Sequence, residues 1–148
     1  MTTEDKDGRI SASTVNWVTQ ASFKPPLVDV AVKADSQIHD IIKTARNFAL
    51  NVLGKGQQGA AYTYFKPAER DGQKISGEPF LAGSTGAPVL ENTPAFFECR
   101  LVTTVEEGDH SIFVGEVVDV GVTPEPEGRA DEATLSLKDL GDKTFYGG

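Results

Sequence analysis

Apolar and polar positions alternate in several segments of the chain, and each such segment predicts a half-buried β-strand. In Leu27–Val32 the three valines share one face, so that face meets the core. Phe48–Leu53 alternates in the same way. Ala95–Val105 and Ser111–Val122 lie on either side of the turn Glu107–His110, and this arrangement predicts a long antiparallel hairpin.

Two segments have the apolar spacing of a helix instead. Between Ser36 and Asn47, three isoleucines and an alanine recur at positions i, i+3, i+4 and i+7, which predicts one buried stripe on a helix capped by Ser36 and ending near Asn47. Gln57–Phe65 predicts a short second helix with Ala61 and Phe65 facing inward.

The remaining segments are less regular. Ile10–Thr19 predicts a strand with an uneven polar side. Residues 66–94 are rich in glycine and proline and predict a long excursion, serving as a lid or a subunit contact, with one small helix and a short strand near Val89. Residues 1–7 are polar and carry no pattern, so we expect a disordered or truncated N-terminus followed by one domain, residues 8–148. The fold class is therefore mainly β (α+β), an antiparallel barrel with short helices at its rim.

Composition narrows the function classes. The 148 residues carry a formal net charge of −8, which argues against a nucleic-acid partner because such proteins display basic surfaces. No apolar run is long enough for a membrane helix. The single cysteine, Cys99, allows no internal disulfide and favours a cytoplasmic protein, and its place on the apolar face of a strand predicts a buried thiol. The two histidines have no neighbours at metal-ligand spacing, so no metal site is predicted.

The candidate chemistry lies in a polar stretch that leads to a strand, a lysine and a helix. Residues 11–22 are crowded with hydroxyl and amide side chains, as expected where a polar ligand lies along a strand. Lys33 ends the next strand, Ser36 begins the helix, and His39 lies in the first helical turn. A lysine, a hydroxyl and a helix N-terminus together suit a phosphate group.

Each of these residues also has a simpler interpretation. Lys33 is equally a solvated strand end, Ser36 a plain helix cap, and His39 a surface residue. Trp17 is either a core residue or an aromatic plane for a ligand. His110 is an exposed residue at a hairpin tip unless a ligand lies beside it. A barrel that binds some other anion without redox chemistry therefore remains open.

Seven short motifs occur in order from Gly8 to Gly148: Gly-Arg-Ile-x-Ala-Ser-Thr-x-Asn-Trp, Ser-Phe-x-Pro-Pro-Leu, Lys-x-x-Ser, Phe-Ala-Leu-Asn-Val-Leu, Glu-Cys-Arg-Leu-Val, Gly-Asp-His-x-Ile-Phe-Val-Gly-Glu-Val and a terminal Phe-Tyr-Gly-Gly. In this order and spacing the chain resembles the flavin reductase-like, FMN-binding split-barrel domains. The resemblance implies an antiparallel, Greek-key-like split β-barrel that forms a homodimer and holds FMN near the subunit interface, with FAD the less favoured flavin.

The resemblance also implies residue roles. Ser13, Thr14, Val15, Asn16 and Trp17 would line the isoalloxazine ring and the ribityl chain. Ser22, Lys33 and Ser36 would hold the phosphate, with His39 nearby. His110 would lie on the nicotinamide side of the flavin. Phe145 and Tyr146 would close over the site, unless this tail docks for stability alone.

The implied activity is transfer of a hydride from NADH or NADPH to the flavin, and of electrons onward to an acceptor. A non-enzymatic flavoprotein that stores or relays electrons is the alternative. Members of the family usually begin with a short helix and an apolar strand, whereas seven polar residues precede Gly8. The resemblance therefore also leads us to expect a barrel without its first strand, with an unpaired edge beside the site.

Overall fold

The computed structural model describes residues 1–144. Within that range the chain forms eleven β-strands: β1 (Thr2–Glu4), β2 (Ile10–Ala12), β3 (Val18–Phe23), β4 (Pro26–Lys33), β5 (Asn47–Val52), β6 (Arg70–Asp71), β7 (Lys74–Ile75), β8 (Glu78–Ala82), β9 (Pro88–Leu90), β10 (Ala95–Val105) and β11 (His110–Val122). It also forms helices α1 (Gln37–Ala45), α2 (Gln58–Thr63) and α3 (Ala130–Ala133), and a 3₁₀ helix at Leu137–Leu140. None of the helices in this part of the chain has the length and hydropathy to cross a lipid bilayer.

Seven strands make the main sheet, in the spatial order β2-β1-β5-β10-β11-β4-β3, and all neighbouring pairs are antiparallel. The predicted mainly antiparallel fold with few helices is confirmed. The sheet curves without closing, because its two end strands, β2 and β3, each pair with one neighbour among the described residues. The strand predicted at Ile10–Thr19 is two strands, β2 and β3, separated by the segment 13–17.

The core lies between the concave face of this sheet and helix α1. Val30 and Val32 of β4 are buried in it, as the alternation predicted, together with Phe48 of β5. The isoleucine stripe of α1 covers them, which confirms the predicted helix. The hairpin β10–β11 is also confirmed, and Cys99 is fully buried within it. Burial raises the pKa of the Cys99 thiol to about 12, so this thiol is a packing group.

A small second sheet replaces the irregular excursion predicted for residues 66–94. Strands β6 to β9 form it, in chain order, and β9 confirms the strand expected near Val89. The small helix predicted in this segment is absent from it. Ile75 and Phe80 pack with Tyr64 in a separate apolar cluster. Tyr64, not Phe65, is therefore the inward residue after α2. The prediction that Phe65 is buried was wrong, because the small second sheet packs on the side of the helix end that carries Tyr64.

The expectation that residues 1–7 are disordered is wrong. Strand β1 lies between β2 and β5, and Thr2 and Thr3 are buried. The Thr2 hydroxyl donates to the carbonyl of Pro88 and accepts from the Asn51 amide, and the Thr3 hydroxyl donates to the carbonyl of Asn47. Polar residues can occupy an interior strand when tertiary partners satisfy every hydroxyl. A pattern search that looks for apolar alternation therefore misses this strand.

The segment 134–140 docks on the body of the domain. The Leu135 amide donates to the carbonyl of Leu53, and the Tyr62 hydroxyl donates to the carbonyl of Leu140. Leu140 is buried. Phe145 and Tyr146, which were expected to close over the site, lie outside the described residues.

We predict that Gly115→Ala destabilises the protein by about 1–3 kcal/mol, the usual cost of overpacking a core. A Cβ atom at Gly115 would overlap the Phe48 ring and lie 2.9 Å from the Cβ atom of Cys99. Gly59→Ala is the matched control, because a Cβ atom there meets nothing within 4 Å. Urea unfolding of the two variants measures the difference, and equal stabilities would contradict the packing described here.

Candidate functional site

A cavity of about 460 Å³ opens at one end of the main sheet. Apolar side chains such as Val15 and Phe97 form most of its wall, and the polar contribution comes from a few residues that include Thr14, Asn16 and Asn51. This size and this balance of apolar wall with a few polar groups are typical of pockets that bind small organic molecules.

The segment 13–17 between β2 and β3 forms one wall of this cavity. The Ser13 amide donates to the carbonyl of Met1 (2.9 Å), which fixes the start of the segment against β1. The Thr14 hydroxyl donates to the carbonyl of Ala61 (2.7 Å), and the Thr14 amide donates to the carbonyl of Tyr64 (3.2 Å). The predicted ligand-facing residues Ser13, Thr14, Val15 and Asn16 therefore line the cavity, on a wall that is held by β1 and by the C-terminal half of α2.

Trp17 turns away from the cavity onto the convex face of the sheet. Its carbonyl accepts a hydrogen bond from the Ala31 amide of β4, and its ring lies against His110, with ring centroids 4.8 Å apart. His110 is paired in register with Lys33. The structure thus brings together Trp17, His110 and Lys33, which are far apart in sequence, at one corner of the sheet formed by the start of β3, the end of β4 and the start of β11.

Two carboxylates lie at this corner beside Lys33 and His110. Lys33 Nζ is 3.0 Å from an Asp35 carboxylate oxygen, and His110 Nδ1 is 3.0 Å from one of Asp109. The hydrogen bond from His110, with its charge, and the nearby Lys33 lower the pKa of the Asp109 carboxyl below its ordinary value.

Ser36 forms the turn between β4 and α1. Its hydroxyl donates to the carbonyl of Lys33 (2.7 Å), so it does not cap the helix as predicted. No side chain of the described chain caps the α1 N-terminus. The amides of the first turn carry a partial positive charge and follow Lys33 by four to six residues, which is a suitable position for an anion.

Ser22 and His39 do not join this group within one chain. Ser22 pairs with Leu27 near the other end of β4, about 20 Å from Lys33 at the usual rise of a strand. His39 is 5% exposed, and its ring nitrogens contact the Ser111 hydroxyl (2.9 Å) and the Asp40 carboxylate (3.4 Å). The ring of His39 therefore packs between α1 and β11, and its contact with the phosphate stays a prediction.

Among residues 1–144 no cluster of three or more His, Cys, Asp or Glu side chains is arranged to hold a metal ion. The donor groups present suit a flavin. The cavity offers an apolar wall for a flat ring with hydroxyl and amide groups at its edge, and the corner offers a lysine and helix amides for a phosphate.

Comparison with protein families agrees with this geometry. A family model described as "Flavin reductase like domain" matches residues 1–138. The chain belongs to the flavin reductase like domain family.

Several proteins that are similar to this chain in sequence are named as flavin reductases. It is 33% identical to the "Flavin reductase" of Pseudomonas putida over 84% of this chain and 72% of that protein. It is 30% identical to an "NADH-dependent flavin reductase" of Pseudomonas fluorescens over 91% of this chain and 75% of that protein. Over other relatives the coverage is smaller: the chain spans 37% of one relative from Rhizobium meliloti and 64% of the "NADH-dependent FAD reductase" of Streptomyces globisporus.

Solved structures give the same fold. The NADH:FAD oxidoreductase of Streptomyces globisporus superposes with a TM-score of 0.72 at 31% identity, covering 86% of this chain and 76% of that one. The FMN-binding protein of Thermus thermophilus superposes with a TM-score of 0.71 at 27% identity, covering 82% of this chain and 69% of that one.

Several residues of this flavin reductase-like site escaped the sequence analysis. Asn51 lines the cavity and joins three strands, because its amide donates to the Thr2 hydroxyl and its carbonyl oxygen accepts from the Leu90 amide. An asparagine in the middle of an apolar strand was the available signal. Met1 and the tail residues 134–137 also line the cavity, and nothing local in their sequence indicates this.

Proposed function

We propose that this protein is an NAD(P)H-dependent flavin reductase that binds FMN. One observation carries the proposal: the segment 13–17 joins an apolar cavity at Ser13–Asn16 directly to the corner of Trp17, His110 and Lys33. A cavity wall that leads along the chain to a corner with a lysine suits a molecule with a flat aromatic part and a phosphate.

The flavin is held from both ends in this proposal. The Ser13 hydroxyl and the Asn16 amide face the polar edge of the ring, while Val15 and Phe97 contact its apolar surface. Lys33 and the uncapped amides of α1 bind a phosphate by charge-assisted hydrogen bonds. A site with one phosphate anchor favours FMN, which has one phosphate. FAD is the alternative, because one relative is named as an FAD reductase.

The nicotinamide donor binds beside His110 and Trp17. Their rings present an aromatic and polar surface next to the end of the cavity wall. NADH is the proposed donor in preference to NADPH. Two relatives are named for NADH.

Bound flavin supplies the redox chemistry, accepting a hydride and passing electrons to a second acceptor. The residues of this chain orient the reactants. The wall at residues 13–16 fixes the ring plane through its bonds to Met1, Ala61 and Tyr64, and His110 holds the donor at contact distance. No proton transfer by a side chain is required.

A homodimer is part of the proposal. The main sheet is open between β2 and β3, and apolar side chains at the start of β3 are exposed, among them Trp17 and Val18. A second copy that covers this opening would bury apolar surface and protect the edge strand.

Replacement of Lys33 and Ser36 together by alanine tests the phosphate anchor. We expect the dissociation constant for FMN to rise about tenfold to hundredfold, because charge-assisted hydrogen bonds to the phosphate are lost. Flavin fluorescence quenching measures it, with Lys74→Ala, an exposed lysine of β7, as the control. Equal FMN affinity in the double variant and the wild type would contradict the phosphate assignment, and a wild type that binds neither FMN nor FAD would contradict the function.

A non-enzymatic flavoprotein is the second candidate, favoured by the likeness to a solved structure named only as an FMN-binding protein. NADH added without any other protein separates the two. Rapid bleaching of the flavin absorption near about 450 nm supports the reductase, since the cofactor then receives the hydride directly. A spectrum that stays unchanged supports the electron carrier.

A further inference from the structure

One wall of the cavity is made by a segment outside both sheets. Strands, α2 and the residues next to them make the other walls. The remaining wall is residues 134–140, which we name the strap and which end in the 3₁₀ helix. The strap residues that line the cavity are Thr134, Leu135, Ser136, Leu137 and Leu140.

The start of the strap is attached to the turn after β5. The Leu135 amide donates to the carbonyl of Leu53 (2.8 Å), and the Lys55 amide donates to the carbonyl of Ala133 (3.0 Å). A pairing of only two backbone hydrogen bonds opens more easily than a strand inside the main sheet.

The end of the strap is attached to α2. The Tyr62 hydroxyl donates to the carbonyl of Leu140, and Leu140 is buried. Between the two attachments, the described hydrogen bonds of the strap are internal, because the Ser136 amide and hydroxyl both donate to the Asp139 carboxylate. The strap is therefore a unit with its own internal bonds that is attached to the body at its two ends.

The chain before the strap adds no further attachment among the described residues. Residues 127–132 are all exposed, and their described hydrogen bonds lie within this segment or join it to Thr134 of the strap. Arg129 pairs with Asp131, two residues away. Movement of the strap therefore removes no buried group of residues 127–132 from the body.

Helix α2 contacts both the strap and the wall at residues 13–16. Tyr62 bonds Leu140 of the strap, whereas the carbonyl of the adjacent Ala61 accepts from the Thr14 hydroxyl (2.7 Å). Release of the strap breaks the first of these bonds and leaves the second. The cavity can therefore open while the wall at residues 13–16 keeps its position.

Two leucines of the strap make its closed position sensitive to a ligand. Leu135 and Leu137 line the cavity but are only half-buried. A flat ring in the cavity would complete their burial and so add apolar contact to the closed position alone. A ligand that binds one of two positions better shifts the equilibrium towards that position.

We propose that the strap is a gate for the flavin. It opens locally while both sheets stay folded, and the flavin enters and leaves the cavity through that opening. The inference rests on the proposed function, in which the flavin ring binds in this cavity. Opening breaks few hydrogen bonds and exposes few buried side chains, which is typical of segments that open locally. The opening rate of the strap then sets the rate of flavin exchange.

A disulfide can hold the strap closed. Gly54 and Thr134 form an isolated antiparallel bridge between the two backbone hydrogen bonds at the start of the strap. The Cα atoms of such a pair lie about 4.5 Å apart, which allows a disulfide. The variant Gly54→Cys with Thr134→Cys is locked by oxidation and released by reduction, and the buried Cys99 thiol takes no part. Its reduced form is the reference, because a Cβ atom at Gly54 lies 3.2 Å from a ring atom of Pro94.

We expect oxidation of this variant to slow both the association and the dissociation of FMN at least about tenfold, because a closed gate blocks both directions. Stopped-flow quenching of flavin fluorescence measures association, and dilution of the complex measures dissociation. Reduction with a phosphine should restore both rates.

Equally fast association in the oxidised and reduced forms would overturn the gate, since a passive wall does not control entry. Mass spectrometry checks that the disulfide has formed. Failure of the two cysteines to form it would contradict the described position of the strap, and the gate with it.

Hydrogen exchange tests the gate without flavin. The amides of Leu135 and Lys55 become accessible when the strap opens, whereas the amide of Leu101 on β10 bonds the carbonyl of Arg46 next to β5. We expect the first two amides to exchange at least about hundredfold faster than the third, because local opening needs less free energy than unfolding of the main sheet. Oxidation of the disulfide variant should slow exchange at Leu135. Equal exchange at all three amides would overturn the gate.

The attachment at α2 has its own test. Tyr62→Phe loses the hydroxyl that holds Leu140, and we expect FMN association and exchange of the Leu135 amide to become about threefold faster or more. Thr63→Val is the matched control, because the Thr63 hydroxyl bonds the carbonyl of Gly59 within α2. Equal rates in the two variants would contradict a gate held by Tyr62. A wild type that binds neither FMN nor FAD, but whose Leu135 amide exchanges fast, would overturn the proposed function and not the gate.

Discussion

Glu98→Ala should lower the free energy of unfolding by about 2–4 kcal/mol. This is the cost of removing a buried carboxylate and leaving the hydrogen-bond donors around it without an acceptor. Glu98 lies on β10 with 1% of its surface exposed. Its carboxylate accepts four hydrogen bonds, from the amides and hydroxyls of Ser84 and Thr85. Loss of the carboxylate releases the β8–β9 turn from the main sheet.

Glu98→Gln is the matched variant because it keeps the shape of the side chain but only one acceptor oxygen. We expect it to lose less stability than Glu98→Ala. Urea unfolding with circular dichroism measures both. Two variants as stable as the wild type would show that the turn does not depend on this carboxylate.

The Glu98 carboxylate should also make the stability of the protein depend on pH in the acid range. Burial by itself would raise the pKa of Glu98, but the hydrogen bonds from Thr85 and Ser84 lower it below the ordinary value of 4.5. Because the pKa of Glu98 is lower in the folded state than in the unfolded state, the ionised carboxylate stabilises the fold fully above about pH 4.5. This contribution is lost as the pH falls through the pKa of Glu98 in the folded protein. The wild type should therefore lose stability more steeply than Glu98→Gln below that pH.

His110→Ala should lower kcat/KM for NADH about tenfold to hundredfold, as expected when a group that orients a reactant is removed. His110 contacts the Trp17 ring and lies opposite Lys33, so the proposed nicotinamide position is formed around it. We expect the rate of flavin reduction to fall more than the affinity for FMN, because FMN is held mainly by residues 13–16 and Lys33.

Stopped-flow reduction of the bound flavin by NADH measures the rate, and fluorescence titration measures FMN affinity. Glu107→Ala in the same turn is the control, since Glu107 is exposed. If His110→Ala and Glu107→Ala reduce flavin equally fast, His110 has no part in positioning the donor.

The candidate site shows how much of a binding site can be predicted from a local sequence pattern. The polar stretch in front of the valine strand pointed to residues 13–17, and the structure places four of them on the cavity wall. The position of the residues expected to hold the phosphate was harder to predict, because spacing along the chain does not indicate strand register. Register places Ser22 and Lys33 at the two ends of the same hairpin.

Buried and half-buried polar residues were the other set that the sequence analysis missed. Thr2, Asn51 and Glu98 stabilise the sheet, yet each appears in sequence as a polar residue without a pattern. Their partners Pro88, Leu90 and Ser84 are supplied by the small second sheet and its turns. Such interactions are long-range, so no local window contains both members.

The sequence by itself determined the antiparallel strand hairpin, the amphipathic helix α1 and the buried valine face, because apolar periodicity is a local property that burial then satisfies. Tertiary structure alone decided the rest. It ordered β1 through hydroxyl partners and brought Trp17 against His110. It also left β3 as an open edge. These features depend on which distant strands pair and in which register, and pairing energies are set by contacts that the linear sequence does not contain.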